Sequence, residues 1–488
     1  MLGVLNGEQS IFCDAALLFH RQKEALDSLK KGEVSDIRVS HSFAADKVVA
    51  FGLDEGFLQE GLRSFPDPRK HVEVPVDVVL LPQILQRLHD EHSLLLAPYM
   101  LNDADLITRL GYNAEVLETG FNNRAKYPRE TAFHGETLKH LLALIKKPEV
   151  LLQWFNQKWL PLWRKAAPGR THQYILDGMK IEIPRPGKRK REGSGVVSDN
   201  DGNLSYGYKV LWLQEIIDKK GILVTVKIVP IHTHDIEAAR ALVNEFPFEE
   251  NSLLIMDRAF VDGEWITDLK ERRKVDVCLP LKKNMEPTVN AVALADERQL
   301  WKPHPSREGQ LCAELSREEL FWKDCPVLSS GVLSRWTNKK TGEEESVLFV
   351  STQENKSAKT LLATYDQRAE IEESHRELKC FQGIERLPSG KFGHVVFRIL
   401  MNVIGFNLLR LFLNSENCDT LEDFTAKTLR QRRPQNPNPK VIIYTQNSFA
   451  TIYFIDLLSL IIRLKRSVQK KLGDLFDLLK KRWRENSS

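Results

Sequence analysis

The feature that most constrains this 488-residue chain is an ordered series of strand and helix patterns that begins near residue 174. Segments rich in β-branched and aromatic residues predict three successive strands, over 174–183, 206–217 and 222–230. Turn-forming stretches such as 199–203 separate them. Four further elements are predicted in the order helix, strand, helix and strand, over 235–246, 253–256, 265–273 and 275–281. The predicted element order is therefore βββαβαβ.

This element order indicates the fold class. Three strands that can form an antiparallel meander, followed by alternating helices and strands, have the order of the ribonuclease H-like fold. We therefore predict an α/β protein with a ribonuclease H-like catalytic core. After residue 283 the pattern breaks into turns, charges and short strand-like pieces, with a hairpin signal at 339–342, which predicts a β-rich insertion. A strand over 346–352 and helices over 357–380 and 392–412 resume the core.

The length and the local patterns predict a modular chain, because 488 residues exceed what one core usually holds. Apolar spacing of three and four residues makes the N-terminal part mostly helical, and a Pro/Asn-rich linker at 434–439 precedes two helical stretches near the C-terminus. The predicted segments are a helical region over 1–165, the core over 166–283 and 346–412, the insertion over 284–345 and a helical region over 413–488.

Composition narrows the class of protein. With 42% hydrophobic and 28% charged residues the chain has an ordinary globular composition, and its net charge of +4 does not by itself indicate nucleic acid. The six cysteines form no CxxC pair, so neither a zinc site nor a disulfide framework is predicted, and a reducing cytoplasm is expected. No membrane span is predicted, because the apolar stretch 449–464 is interrupted by Asp456 and Arg463.

The strongest chemical signal is the segment YDQRAEIEESHRELK, which contains Tyr365, Arg368, Glu372 and Lys379. On one continuous helix their spacing places all four within about 60° of one another. A carboxylate that binds metal beside cations that hold a phosphate backbone is a combination suited to phosphodiester chemistry. The alternative is a solvated helix whose charges form ion pairs with one another.

Two aspartates strengthen the first interpretation. Asp177 is taken to end the first strand and is followed by Gly178, and Asp257 ends the fourth strand. The first and fourth strands are plausible neighbours in a twisted sheet, so both carboxylates and Glu372 can converge. Such a set of hard oxygen ligands suits Mg²⁺ or Mn²⁺. The alternative for each aspartate alone is a turn or cap residue.

The spacing Tyr, two residues, Arg, three residues, Glu, six residues, Lys resembles the signature of bacterial insertion-sequence transposases of the DDE type. The resemblance extends through YILDG, GYKV, IVPIHTHD and IMDRAF and covers roughly residues 170–412. The chain departs from many members at Ala369, where they carry an aromatic residue.

The resemblance implies a cut-and-paste DNA transposase that cleaves element ends and joins them to target DNA. By resemblance, two Mg²⁺ or Mn²⁺ ions would be bound by Asp177, Asp257 and Glu372, and the end phosphates would be positioned by Tyr365, Arg368 and Lys379. The N-terminal region would recognise terminal inverted repeats in double-stranded DNA. A homodimer would hold two ends together, and a bacterial, nucleoid-associated location is expected. The alternatives are a domesticated DNA-binding regulator that no longer cuts and a stand-alone metal nuclease.

Three further features have two interpretations each. The loop with Arg185, Lys188, Arg189, Lys190 and Arg191 either contacts phosphate or is a solvated basic loop. In the pair His234–Asp235, Asp235 is expected to cap a helix, and a catalytic His234 is the alternative. In the insertion, one tryptophan is a candidate platform for a flipped base, as in transposases of this type, or all three fill a small core: Trp301, Trp322 and Trp336.

The C-terminal tail, about 441–488, is the last feature with two interpretations. Its run 452–464 is too apolar to lie free in water, so it needs either a partner surface or its own core.

Overall fold

The computed structural model of the protein describes residues 18–40, 42–91, 93, 96–121, 131–167, 169–184, 191–199, 201–217, 220–387, 389–415, 424–432 and 438–487. The strands in this part of the chain are β1 (Phe19–His20), β2 (Asp36–Val39), β3 (Arg170–Ile183), β4 (Gly195–Ser198), β5 (Leu204–Ile217), β6 (Ile222–Pro230), β7 (Leu253–Met256), β8 (Asp276–Pro280), β9 (Lys302–Pro303), β10 (Leu311–Ser316), β11 (Ser330–Thr337), β12 (Glu344–Ser351), β13 (Lys440–Tyr444) and β14 (Ser448–Tyr453). The α-helices are α1 (Gln22–Lys31), α2 (Ala50–Asp54), α3 (Phe57–Arg63), α4 (Val76–His89), α5 (Ala104–Arg109), α6 (Val116–Thr119), α7 (Glu136–Leu144), α8 (Glu149–Gln153), α9 (Leu160–Ala166), α10 (Asp235–Glu245), α11 (Gly263–Glu271), α12 (Glu286–Glu297), α13 (Ala358–Asp366), α14 (Ala369–Phe381), α15 (Phe392–Leu413), α16 (Ala426–Arg432), α17 (Phe454–Ile462) and α18 (Arg466–Ser487).

The chain divides into two compact units. A central unit comprises Lys147–Asp423, and a terminal unit combines Met1–Lys146 with Phe424–Ser488. The boundaries therefore differ from the predicted ones: α8 and α9 belong with the central unit, and the two outer segments form one unit instead of two regions.

The central unit is a mixed α/β structure built on one ten-stranded sheet. Its strand order is β4-β5-β3-β7-β8-β12-β11-β10-β9, with β6 paired to β5. The first three predicted strands form the expected antiparallel meander, because β3 pairs antiparallel with β5 and β5 antiparallel with β6. The next two strands, β7 and β8, join in parallel beside β3. Each strand and helix predicted between residues 174 and 281 is present, and β4 is an additional strand that the pattern did not predict.

The strands predicted as an insertion continue this sheet. The core strand predicted over 346–352 corresponds to β12, which joins β8 in an antiparallel pair. In the same way β11 joins β12 and β10 joins β11, so the strands of the predicted insertion lengthen the core sheet and do not form a separate layer. The predicted hairpin at 339–342 lies between β11 and β12 as expected. The segment also begins with a helix, α12, that the turn-rich pattern did not predict.

The predicted continuous helix over 357–380 is wrong in one respect. It is divided into α13 and α14 at Gln367 and Arg368. The amide of Arg368 donates to the carbonyl of Tyr365, and that of Ile371 to the carbonyl of Arg368, so the backbone tightens to three-residue hydrogen bonds at the junction. Glu372 lies in the first turn of α14 as a result.

Two helical segments cover the meander. The side-chain amide of Asn156 bonds both the carbonyl of Val226 and its amide, each at 3.0 Å, which satisfies backbone groups of β6. The side chain of Asn407 in α15 does the same for Leu223, at 2.7 and 2.9 Å. In the described residues, α15 is the one helix long and apolar enough to cross a membrane by length and composition, and its apolar window is 100% buried inside the protein.

The terminal unit contains a four-stranded sheet of order β1-β14-β13-β2, which corrects the prediction that both outer regions are helical. Short strands from opposite ends of the chain pair here: β13 lies antiparallel to β2, and β14 parallel to β1. Val441 and Ile443 alternate with less buried positions and contribute to a core shared with α1, α17 and α18. Sequence periodicity did not indicate these strands because they are too short to show an alternating pattern over several repeats.

Candidate functional site

Two neighbouring strands bring the predicted aspartates to one level of the sheet. The parallel pairing of β3 and β7 ends with Leu176 opposite Met256, and Asp177 and Asp257 are the next residues on each chain. Asp257 ends its strand as predicted. Asp177 does not, because β3 continues to Ile183 in antiparallel pairing with β5. The convergence of the two aspartates depends on the parallel β3–β7 pair and holds despite that correction.

Backbone amides orient each aspartate. One oxygen, Oδ1 of Asp177, accepts from the amide of Gly178 at 2.8 Å, and Oδ1 of Asp257 accepts from the amide of Arg258 at 2.7 Å. The second oxygen of each carboxylate faces the same guanidinium: Nη2 of Arg368 lies 3.1 Å from Oδ2 of Asp177 and 3.6 Å from Oδ2 of Asp257.

Glu372 completes the cluster from α14. Its Oε1 lies 2.5 Å from Nη1 of Arg368, so all three predicted acids share one cation. The Asp177 side chain is 13% exposed, whereas that of Glu372 is 61% exposed, so the acids range from buried to solvent-facing. Burial raises the pKa of Asp177 to about 6, with Arg368 acting against this and the charges of Asp257 and Glu372 adding to it. The same carboxylates raise the pKa of Arg368, although burial opposes them.

Tyr365 borders the cluster, but Lys379 is engaged elsewhere. The ring of Tyr365 packs on Phe349 with ring centroids 5.0 Å apart. Burial raises the pKa of the phenol to about 12, which keeps it a hydrogen-bond donor at neutral pH. Nζ of Lys379 forms an ion pair with Glu385 at 2.9 Å. The structure therefore gathers Tyr365, Arg368 and Glu372 around the aspartates, and it pairs Lys379 with a neighbour outside the cluster.

Two contacts that sequence reasoning missed hold α14 in place. Nε1 of Trp212 donates to Nε2 of His375 at 2.6 Å, and burial together with the charges of Lys379 and Arg368 lowers the pKa of His375 to about 4. Arg410 in α15 forms ion pairs with Glu370 and Glu377, which lie on α14 on either side of Glu372. His375 is three residues after Glu372, so a search along that helix face would have found it, whereas nothing in the sequence links Trp212 to it.

The site lies within a segment that matches a known family. Residues 169–408 match the family model described as the transposase DDE domain. The match supports a DDE-type transposase and includes the three acids, Tyr365, Arg368 and Lys379. No curated protein matches the chain.

The predicted basic loop has different surroundings. Lys188, Arg189 and Lys190 lie outside the described residues, as does Arg185. Nη1 of Arg191 donates to the carbonyl of Leu387 at 2.8 Å.

The prediction for Asp235 as a helix cap is wrong by one residue. His234 is the N-cap of α10, and its side chain makes no capping hydrogen bond in the described structure. Asp235, the first helical residue, forms an ion pair with Lys209 at 2.6 Å. Lys209 is an odd number of residues from Trp212 on β5, so its side chain faces the side of the sheet opposite the acids.

The three tryptophans predicted in the insertion are all half-buried, and one of them is held by polar contacts. Nε1 of Trp301 donates to Asp296 at 2.8 Å, and the guanidinium of Arg335 lies 3.8 Å from the centre of the Trp301 ring. One face of this indole is therefore already covered.

The three acids of the cluster surround an arginine. Within the described ranges no group of three or more His, Cys, Asp or Glu side chains is close enough to hold a metal ion. The donor set nevertheless fits a hard divalent cation in its chemistry, because three carboxylates supply oxygen ligands and already converge on one positive charge.

Proposed function

We propose that this chain is a DNA transposase of the bacterial insertion-sequence type with the Tyr-Arg-Glu-Lys signature, built on a ribonuclease H-like core. It would cleave the ends of a mobile element and join the freed ends to target DNA by a cut-and-paste route. The single observation that carries the proposal is the convergence of three carboxylates on Arg368 within the segment that matches the transposase DDE domain.

Asp177, Asp257 and Glu372 would hold two Mg²⁺ or Mn²⁺ ions. When bound, such ions activate the attacking hydroxyl and stabilise charge on the leaving oxygen during in-line displacement at phosphorus. The proposal is supported by the repulsion among the carboxylates, which contributes to the raised pKa of Asp177 and which added positive charge would relieve.

The chain's own residues would supply substrate positioning. Arg368 has a planar set of donors suited to phosphate, and Tyr365 presents a protonated phenol beside it. Lys379 would have to exchange Glu385 for a phosphate, a modest rearrangement because both side chains are partly exposed. Phosphate contacts from Lys188, Arg189, Lys190 and Arg191 are part of the same proposal.

We further propose that double-stranded DNA with terminal inverted repeats is the substrate, that the N-terminal region recognises those repeats, and that a homodimer holds two ends. The bacterial cytoplasm, in association with the nucleoid, is the proposed location. These proposals rest on the resemblance of the signature segment.

The test is a gel assay with duplexes from the DNA flanking the gene, where the terminal repeats are expected, together with Mg²⁺ and a supercoiled target plasmid. The expected result is both cleaved ends and joined products. Cleavage without joining indicates a stand-alone nuclease. Specific end binding without cleavage, in Mg²⁺ and in Mn²⁺, indicates a regulator that no longer cuts.

A further inference from the structure

We propose that Trp212 and His375 are positioning residues, whose hydrogen bond sets the place of Glu372 relative to Asp177 and thereby the affinity of the acid cluster for divalent cations. This inference rests on the proposed metal-dependent function. It assigns to the cluster two residues that neither bind the metal nor touch DNA.

The contact lies directly beside the acids. Trp212 on β5 is the cross-strand partner of Asp177 on β3, so the two side chains project from the same face of the sheet. Its indole donates to His375 at 2.6 Å, and the two ring centroids are 5.3 Å apart. His375 follows Glu372 by three residues, about one helical turn along the same face of α14. One hydrogen bond therefore connects the strand that carries Asp177 with the helix that carries Glu372.

Glu372 depends on its helix for its position. Its side chain is 61% exposed, and its described polar contact is with Arg368. Arg410 fixes one side of α14 through Glu370 and Glu377, while the Trp212–His375 bond fixes the side that faces the sheet. Removing the second link frees the helix to rotate or shift over β5.

The hydrogen bond between Trp212 and His375 has a fixed donor and a fixed acceptor. Trp212 is fully buried and its indole N–H is a donor only, so His375 must accept through Nε2 and carry its own proton on Nδ1. Another buried indole of the central unit, that of Trp265, has no hydrogen-bond partner among the described residues. The fold therefore tolerates an unpaired indole N–H away from the acids, which makes Trp265 a matched control.

The experiment measures Mn²⁺ binding by the DNA-free, full-length protein through the electron paramagnetic resonance signal of free Mn²⁺. The variants are Trp212→Phe, His375→Leu, the double variant, His375→Gln, and the control Trp265→Phe. Thermal unfolding of each in EDTA reports the fold independently of the metal.

Loss of either partner is expected to weaken Mn²⁺ binding roughly 10- to 100-fold, the range seen when partners that orient metal ligands are removed. The double variant should lose no more Mn²⁺ affinity than the single variant that binds Mn²⁺ more weakly, because each single substitution already removes the same hydrogen bond. His375→Gln, which keeps an acceptor, should recover part of the affinity. Trp265→Phe should bind as the wild type does even if its melting temperature falls by as much as that of Trp212→Phe.

Three outcomes overturn the inference. If wild type, Trp212→Phe and His375→Leu bind Mn²⁺ equally well while Asp177→Asn and Glu372→Gln lose binding, the positioning role is rejected and the proposed metal site is not. If Mn²⁺ affinity falls only in proportion to melting temperature, and does so in Trp265→Phe as well, the Trp212–His375 bond contributes to general stability and not to positioning. A wild-type protein that binds no Mn²⁺ rejects the proposed metal-dependent function, and the positioning role with it.

Discussion

Nη2 of Arg368 lies 3.1 Å from Oδ2 of Asp177, although the two residues are 191 positions apart in the chain. The contact forms because α14 packs over the strand that carries Asp177, and the parallel neighbour of that strand places Asp257 within 3.6 Å of the same nitrogen. The single positive charge of the arginine therefore offsets only part of the negative charge of the three acids. In the proposed complex, a DNA phosphate would have to compete with these carboxylates for the guanidinium, which would link DNA binding to the state of the acid cluster.

Replacing Arg368 or Lys379 should weaken the productive complex with DNA. Removing the cation that holds one phosphate is expected to reduce the slope of log affinity against log salt by roughly 0.9. The measurement is a titration of end duplex with Arg368→Ala and Lys379→Ala at several salt concentrations. Arg376→Ala is the matched control, because Arg376 is exposed on α14 and pairs with Glu373. If both variants keep the wild-type salt dependence of binding and the wild-type cleavage, Arg368 and Lys379 are ion-paired surface charges and not phosphate contacts.

Acid should destabilise the protein through His375. Its pKa is held at about 4 in the folded state against an ordinary value of 6.5, by burial and by the charges of Lys379 and Arg368. Between these pH values the unfolded chain binds the proton and the folded chain does not, so this contribution is present above pH 6.5 and is lost as pH falls towards 4. The expected loss is on the order of 1 to 3 kcal/mol.

The check is urea unfolding at pH 7.5 and pH 4.5. His375→Gln should show a smaller decrease in unfolding free energy between the two than the wild type, because it removes the group that must stay neutral. His232→Gln, at an exposed position of the same unit, should retain the wild-type decrease. An unchanged decrease in His375→Gln contradicts the prediction.

The tryptophans of the insertion should separate into two groups. Trp301 is tied to Asp296 and Arg335, so Trp301→Ala is expected to lower stability and every catalytic step together. Trp322 and Trp336 remain candidates for a platform that stacks a displaced base, a contact worth about 1 to 3 kcal/mol. A platform variant should spare first-strand nicking and impair release of flanking DNA. If neither Trp322→Ala nor Trp336→Ala separates these steps, the platform hypothesis is wrong.

Truncation before Val441 should unfold the terminal unit. It removes most of β13 and all of β14, and with them Val441, Ile443 and Leu457 from the core. Most of the apolar run at 452–464 packs there, which favours its own core over a partner surface, although Ile462 is 77% exposed. Calorimetry should show one unfolding transition fewer than in the full chain.

The substitution Ile462→Ser tests the proposed dimer separately. If Ile462 contacts a partner, the variant should associate more weakly while its melting temperature stays unchanged. Unchanged association would show that Ile462 is not part of a dimer surface.

Much of the central sheet could be predicted because its strands are long or strongly apolar. β6 is mostly β-branched, and β5 is a long strand rich in aromatic and aliphatic residues. The order of elements indicated which strands could be neighbours, so the convergence of Asp177 with Asp257 followed from topology. The short strands of the terminal unit could not be predicted, since pairing between β2 and β13 depends on contacts some 400 residues apart that leave no local periodicity.

The acids of the candidate site could be predicted from the sequence, but most of the contacts that hold them in place could not. A fixed helical spacing placed Arg368 beside Glu372, as the structure shows. The same spacing placed Lys379 on the face of Glu372 in α14, but it could not indicate that Lys379 pairs with Glu385. The Trp212–His375 bond joins a strand to a helix, and such a contact depends on packing distance, which a single sequence does not encode in any spacing.

Catalysis by the three acids can be tested through end cleavage with Asp177→Ala, Asp257→Ala and Glu372→Ala. The measurement is Mg²⁺-dependent cleavage of an end duplex, with binding of the same duplex in EDTA measured in parallel. Each variant is expected to lose cleavage and to keep end binding within about a factor of ten, because each removes a proposed metal ligand and not the main phosphate contacts. Mg²⁺-dependent cleavage at the wild-type rate by any one variant would show that the replaced residue does not belong to a catalytic triad.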